Sequence, residues 1–462
     1  MKLKAKKYQS SPDKRILPDC PRISLKHSFD WHILMLHCFL FGLLLWVYVT
    51  FSVGIFGYSA YHDDLNIDKA AYSPFIIAIA FSLLRNNGLP SYFYLNLILA
   101  LVLVPSLVIF SGSNLPYSFI VATWAAFTII ALVSRIIKVP RLRLIHVKSA
   151  TLLRTFVFLS ILLIASIIAL GGSRHINFNL KLVYQFREIA NENLPGAFGY
   201  LIPSFSKVII PTGIVLSIIW RKWLYLFSLI SCSVMIFAFS GNRSPLFIPF
   251  VLLFVYWFVH YKKNLTLTLL ALIAVVIVGG LDFYLRQSGF GGLAGWFGSL
   301  FIRRSLIVPA YLNWGYYDFF TNNPYNYWAN SKLSFGLVEQ SYDRSISHVI
   351  GEIHFGKQNL NANTGWIGSG MGQAGYWGVA LYSFLIGLFL SFLDSYSKKL
   401  GYQFVTSVSF TSILIMTRSS DLITMLLTHG FIILLLIIII LQPDYNKNFN
   451  IGTRYNYHRG FG

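Results

Sequence analysis

The residues most suited to chemistry are arginines set in short polar turns between apolar runs. Ser240-Gly241-Asn242-Arg243-Ser244-Pro245 is one such turn, and Thr417-Arg418-Ser419-Ser420-Asp421 is another. Gly and Pro favour a tight turn and would hold Arg243 at the edge of an apolar layer. Arg303 and Arg304 open a long polar segment, and Arg344 follows Asp343 within it. A guanidinium keeps its charge at any physiological pH and meets phosphate oxygens through two parallel hydrogen bonds. Arg243, Arg303, Arg304, Arg344 and Arg418 are therefore candidate ligands for a pyrophosphate at a lipid boundary. The plainer alternatives are snorkelling arginines, or local pairing with acids such as Asp343 and Asp421.

Between Tyr311 and Trp328, nine of eighteen residues are aromatic, including Trp314, Tyr316, Tyr317, Tyr327 and Trp328. Interleaved with Asn322, Asn323, Asn326 and Asn330, such rings offer flat faces for sugars and amides for their hydroxyls; an interfacial aromatic belt would look similar and need no ligand. Further on, His348 and Glu352 share one face if helical, followed by His354 and Asn361-Ala362-Asn363-Thr364-Gly365-Trp366-Ile367-Gly368. Asn361, Asn363 and Thr364 add candidate glycan contacts. A general base taking a proton from an attacking hydroxyl would be a histidine or carboxylate, and His348, Glu352 and Asp421 are the candidates, although a lone histidine is more often structural. No metal motif, cysteine pair or nucleotide-binding glycine loop is present, so no metal or other cofactor is expected. Arginines would then supply the positive field for a departing pyrophosphate. The adjacent Asp63-Asp64 pair is kept as the base of an alternative enzyme.

These groups must be positioned by apolar elements. Of 462 residues, 56% are hydrophobic and 11% charged, against roughly 25% charged in soluble domains. A water-soluble globule is excluded. Twelve apolar runs stand out, at residues 34–56, 74–84, 91–110, 117–134, 151–170, 201–220, 224–240, 245–260, 265–285, 374–393, 404–416 and 422–441. Most approach the roughly 20 residues a helix needs to cross a bilayer, while the second and eleventh are short enough to be broken or re-entrant. The expected fold is an all-α polytopic bundle of about twelve spans. It comprises a basic cytoplasmic tail (1–33), spans one to nine (34–285), a long external loop (286–373), spans ten to twelve (374–441) and a cytoplasmic tail (442–462).

Charge gives the orientation. The formal net charge of +21 is spread between apolar runs rather than gathered in one patch, which argues against nucleic acid as a partner. With both termini inside, 24 Lys and Arg fall on the cytoplasmic side and 12 outside, leaving Lys207 within a span. Dropping either short span would set the Lys262-Lys263 and Lys398-Lys399 clusters on conflicting sides. Cys20 lies in the polar tail, and Cys38 and Cys232 lie in apolar runs, so no disulfide framework is visible.

At Gly241-Asn242-Arg243, at Asn361 to Gly368 leading into Gln373-Ala374-Gly375-Tyr376-Trp377-Gly378-Val379, and at Arg418 with Ser420-Asp421-Leu422, the chain resembles the Wzy-type O-antigen polymerases. It departs from the family's pattern at Ser369-Gly370-Met371-Gly372, where relatives carry an acidic residue and a tyrosine. The resemblance implies glycosyl transfer on the periplasmic face of a bacterial inner membrane during lipopolysaccharide biosynthesis. A glycan linked to undecaprenyl pyrophosphate would be moved onto a hydroxyl of another lipid-linked repeat unit. Donor, acceptor and membrane lipid are the implied partners, with a chain-length regulator protein left open. The alternatives are another polyprenyl-phosphate-dependent glycosyltransferase or O-antigen ligase, and a lipid-linked oligosaccharide flippase.

Overall fold

The computed structural model describes residues 29–442, except 58–60, 62, 143–146, 173–175, 179–185, 187–193, 262–263, 330 and 332–333. Most of both tails, the Lys262-Lys263 pair and most of the segment from Gly171 to Tyr200 thus lie outside the described residues, as does Asn330. The helices, in chain order, are α1 (Trp31–Phe56), α2 (Ile67–Ser82), α3 (Pro90–Gly112), α4 (Tyr117–Ile136), α5 (Ser149–Ala169), α6 (Phe198–Ile219), α7 (Trp223–Ser240), α8 (Ser244–Val259) and α9 (Asn264–Gln287). They continue with α10 (296–322), α11 (Ile346–Phe355), α12 (Trp366–Leu400), α13 (Tyr402–Arg418), α14 (Leu422–Leu427) and α15 (Phe431–Ile440). The described strands are one short parallel pair, Val147–Lys148 with Leu441–Gln442.

Every one of the twelve apolar runs lies on helix, because a backbone in an apolar medium must satisfy its own hydrogen bonds. Eight helices, α1, α3 to α7, α9 and α12, are long and apolar enough to cross a membrane. The protein has the architecture of an all-α helical membrane protein. Its centre is α3, whose most apolar window is 94% buried, whereas α9 is 33% buried and peripheral. Outward faces are apolar, with Phe39, Trp46, Leu224, Phe250, Trp257 and Leu281 all exposed.

The bundle has two distinguishable ends. At one, the N–H of Ser91 donates to Asp394 Oδ1 at 2.8 Å, Asn264 Nδ2 donates to Tyr402 Oη at 2.9 Å, and Gln403 Nε2 donates to the carbonyl of Tyr256 at 3.1 Å. The last contact joins the start of α13 to the end of α8, and the two helices pack against each other. They are antiparallel, so Arg418 and Arg243 share the opposite end, hereafter the Arg418 end.

Two regions differ from the sequence expectation. Within the presumed loop 286–373, residues 296–322 form a helix of three joined pieces, Trp296–Gly298, the π-helical Ser299–Ile307 and Val308–Asn322. It packs against α9 and α12, and Asp282 accepts hydrogen bonds at 2.9 Å from the N–H groups of Gly295 and Gly298 at its start. An acid there offsets the unsatisfied donors of a helix N-terminus. The second region is α12, which is broken by non-helical backbone at Ala374 and Gly375. Trp366 Nε1 donates to Ser383 Oγ at 3.0 Å, whereas seventeen residues of straight helix would separate them by about 25 Å. The segment 366–373 therefore folds back on the start of the long helix. Gly370 and Gly378 meet backbone to backbone: a β-carbon on Gly378 would lie 2.1 Å from the Gly370 carbonyl oxygen. The Ser369-Gly370-Met371-Gly372 stretch is the inner arm of this hairpin, where small residues permit close approach.

Candidate active site

Three segments distant in sequence converge at the Arg418 end. Gly365, at the start of the inner arm, lies so close to the α13 terminus that a β-carbon would sit 2.3 Å from the Thr417 carbonyl oxygen. Beside it, Thr364 Oγ1 donates to Asn313 Oδ1 at 2.9 Å, tying the Asn361 to Gly368 segment to α10. The tip of the fold-back takes the aromatic stretch: the N–H groups of Asn326 and Tyr327 donate to the carbonyls of Gly372 and Gln373 at 3.0 and 2.8 Å. Gln373 Oε1 also accepts the N–H of Trp328 at 2.7 Å.

Below this tip, Trp328 Nε1 donates to Tyr382 Oη at 2.7 Å, and Tyr382 Oη donates to Asp421 Oδ1 at 2.8 Å. The other carboxylate oxygen of Asp421 caps α14, accepting from the N–H groups of Ile423 and Thr424 at 2.9 and 3.2 Å. Burial raises the Asp421 carboxyl above the usual carboxylate range, against the pull of these hydrogen bonds. Arg418, three residues earlier, is half-buried, and its Nε is buried without a hydrogen-bond partner among the described residues. Arg243 is half-buried at the first turn of α8. Both arginines are about 20 Å along their helices from the Gln403–Tyr256 contact, so they lie in one layer.

Two further groups lie on elements that adjoin these helices and were not assigned to a site by sequence reasoning. Lys207 sits in the π-helical stretch Phe205–Ile209 of α6. A lysine in mid-span costs roughly 2.5–3.5 kcal/mol on insertion scales. The same stretch packs against α8, α13 and α15, the helices that bear or adjoin Arg243, Arg418 and His429. His429 lies in the break between α14 and α15, with Nδ1 at 3.3 Å from Ser420 Oγ and 3.1 Å from Met425 Sδ. Gly430 makes the turn with φ of 78°, and Ser204 Oγ donates to the Thr428 carbonyl at 3.3 Å. Lys207 was legible as an exception to the charge pattern; His429 was hidden inside an apolar run.

The remaining predicted residues are placed differently. Arg303 hydrogen-bonds Ser299 Oγ at 3.1 and 3.2 Å and lies 4.5 Å over the Phe56 ring, while Arg304 is exposed. Arg344 pairs with Glu352 at 2.9 Å, so that pair neutralises itself. His348 Nδ1 lies 2.7 Å from Ser345 Oγ in the first turn of α11, which approaches the site through the Ala362 N–H to Ser347 carbonyl bond of 2.9 Å. Tyr316 is buried and donates to the Ala362 carbonyl at 3.1 Å; Tyr317 is buried with its hydroxyl 2.9 Å from that of Tyr376. Trp314 stacks on Tyr317, and Thr364 is buried. These four are packing groups, leaving Tyr327, Asn361 and Asn363 exposed, together with Tyr376 and the 85% exposed Trp377 at the fold-back tip. Asp64 accepts from Asn114 Nδ2 at 3.1 Å, beside Lys69 rather than the arginine layer.

Comparison with family models, with curated proteins and with solved structures finds no match. The site's chemistry therefore speaks through its geometry. A cationic layer under an aromatic, amide-bearing tip can hold an anionic headgroup below and a polar chain above.

Proposed function

We propose that the protein is a surface-polysaccharide polymerase that transfers a glycan from undecaprenyl pyrophosphate to a hydroxyl of a second lipid-linked repeat unit, on the periplasmic face of a bacterial inner membrane. The observation that supports this reading is the meeting of Gly365 with Thr417-Arg418, which joins the segments that resemble O-antigen polymerases around a buried guanidinium Nε with no hydrogen-bond partner among the described residues. Arg418 and Arg243 neutralise the charge that develops on the departing pyrophosphate, an electrostatic role that fixed donors perform without reorganisation. Tyr327, Asn361, Asn363 and Trp377 offer the exposed surface for the glycan. Of the three candidate bases, Asp421 alone lies in the arginine layer; Glu352 is held by Arg344, and His348 stands in the cap above.

The test is polymer formation by purified protein with lipid-linked repeat units, with and without a chelator. Long chains in both arms, lost in Arg243→Ala and Arg418→Ala, support the reading; a normal chain ladder in both variants sinks it. A second reading, a lipid-linked oligosaccharide flippase, draws on the broken helix at Thr428 to Gly430 and on Lys207 within a span, features common in transporters. It predicts repeat units trapped on the cytoplasmic leaflet when the protein is absent, whereas the polymerase reading predicts single units delivered outside.

A further inference from the structure

The seam between α3 and α13 carries polar groups that the reading above does not use. Asp394, on α12 at the end of the bundle opposite Arg418, is only 4% exposed. Its Oδ1 accepts the N–H of Ser91 at the start of α3, and its Oδ2 is buried with no hydrogen-bond partner among the described residues. The charged and titratable groups within its range are Lys398 one turn on, Lys138 just after α4, and Tyr402 at the start of α13. An ionisable side chain inside a helical bundle is costly to keep, and ion and proton paths are where such groups are found.

From Asp394 the polar groups continue toward Arg418. Tyr402 lies within interaction range of both the Asp394 carboxylate and the Thr406 side chain. Beside Thr406, the fully buried Tyr94 has its Oη 2.7 Å from the Thr406 carbonyl and 2.7 Å from Ser409 Oγ. Tyr94 also lines a small cavity, with Leu97 and Leu101 of α3 on one side and Ile413, Leu414 and Thr417 of α13 on the other. Thr417 adjoins Arg418, so the line runs the length of α13, about 24 Å. On the same helix, the hydroxyls of Ser407, Thr411 and Ser412 are buried with no hydrogen-bond partner among the described residues. Each costs about 1–3 kcal/mol unless water satisfies it, so α13 favours hydration along its buried length.

We propose that the α3–α13 seam is a gated proton path through the bundle: Asp394 loads and unloads protons at one end, Tyr402, Tyr94 and the α13 hydroxyls pass them on with water, and the apolar cavity beneath Thr417 is the gate. A proton carried by water adds to the Asp394 carboxylate, and the carboxyl returns it to the next water in line, with no bond to carbon changed. Leu97, Leu101, Ile413 and Leu414 keep the cavity dry for most of the time, and an apolar constriction of this kind blocks flow until it wets. Passage is therefore slow, and the membrane is not short-circuited. The path does not rest on the polymerase reading.

The test places the full chain in liposomes that hold a pH-sensitive dye, with potassium and valinomycin to balance the charge moved. After an external acid jump, vesicles with the parent protein should acidify several-fold faster than protein-free ones. Asp394→Asn should lower the protein-dependent rate by about tenfold or more, since a positioned carboxyl carries the transfer, and Asp394→Glu should stay within about threefold of the parent. Leu101→Ala enlarges the gate and should raise the rate several-fold. A protein-free rate in both the parent and Leu101→Ala overturns the proposal, and so does a parental rate in Asp394→Asn. Because Asp394→Asn can fail to fold, the parent protein is also treated with dicyclohexylcarbodiimide, which reacts with a protonated carboxyl in apolar surroundings. Mass spectrometry should find the adduct on Asp394, with proton flux lost in step. An unreactive Asp394, or undiminished flux once it is modified, overturns the path.

Discussion

Lys69 and Arg418 are both cations drawn into the protein near helix ends, and their surroundings are opposite. Lys69 Nζ donates to Asn114 Oδ1 and to the Leu115 carbonyl, each at 2.6 Å, and lies 4.9 and 5.1 Å over the rings of Phe110 and Tyr117. Its charge is spent joining α2 to the α3–α4 turn. Arg418 has a buried Nε with no acceptor among the described residues, and the nearby carboxylate of Asp421 is occupied by Tyr382 and two backbone donors. A buried donor without a partner costs about 1–3 kcal/mol or more. The contrast teaches that the fold can satisfy a buried cation fully, and at Arg418 it does not.

The largest test of this contrast is to delete each cation. Arg418→Ala is expected to lower polymer formation by about 100-fold or more, the scale of losing a preorganised donor to a developing anion, with thermal stability unchanged or increased. Lys69→Met should do the reverse: turnover per folded molecule is retained, and stability in detergent falls by about 1–3 kcal/mol as two acceptors lose their donor. Exchange of these two outcomes would break the comparison. Next in size, Gly365→Ala forces a β-carbon against the Thr417 carbonyl oxygen and should separate the Asn361 to Gly368 segment from Arg418. Activity falls by about 100-fold if placement to within an ångström matters, and chain-length distribution on a gel reads it out.

Smaller effects sharpen the picture. Tyr382→Phe removes the hydroxyl between Trp328 and Asp421 and should cost about 1 kcal/mol of stability, measured by thermal unfolding. His354 lies against Gly315 in the α10–α11 contact, and burial holds its imidazole below the ordinary histidine range, partly countered by Asp318. A histidine that is harder to protonate when folded contributes stability above the unfolded pKa of about 6.5, and this is lost as pH falls through the folded value. Hydrogen exchange in α11 should therefore speed up below about pH 6.5, and His354→Gln should flatten that dependence. Last, a double-mutant cycle on Arg344 and Glu352 should give under about 1 kcal/mol, since both side chains are more than a third exposed and screened by solvent.

Helical content was legible because hydropathy is a local property, whereas eight described helices, not twelve, are long and apolar enough to cross a membrane. Even the short second and eleventh runs proved helical, and the twelfth is helix broken at Thr428 to Gly430. The length of the helix at 296–322 was not legible, where only short helices were expected: Arg303, Arg304, Asn313 and Asp318 interrupt its apolar pattern, and the π-helical stretch shifts the register against a period of 3.6 residues. The fold-back at Ala374 and Gly375 escaped as well, since its inner arm is too short to register as a span. Arg243 and Arg418 were singled out from turn position, and the packing of α8 against α13 sets both toward the same end of that pair. The Arg344–Glu352 pair and the burial of Tyr316 and Tyr317 depend on packing between distant segments, which spacing along the chain does not encode.

The Gly370–Gly378 contact has a consequence for how the molecule can vary. With two backbones pressed together there, the hairpin behaves as a rigid spacer: its lower end is fixed to Thr417 and its upper end displays Tyr376 and Trp377 to the surroundings. Replacements at those exposed rings alter what is presented without disturbing the anchor beneath. On the polymerase reading, preference for one sugar chain over another would be retuned at the tip while the machinery below stays the same.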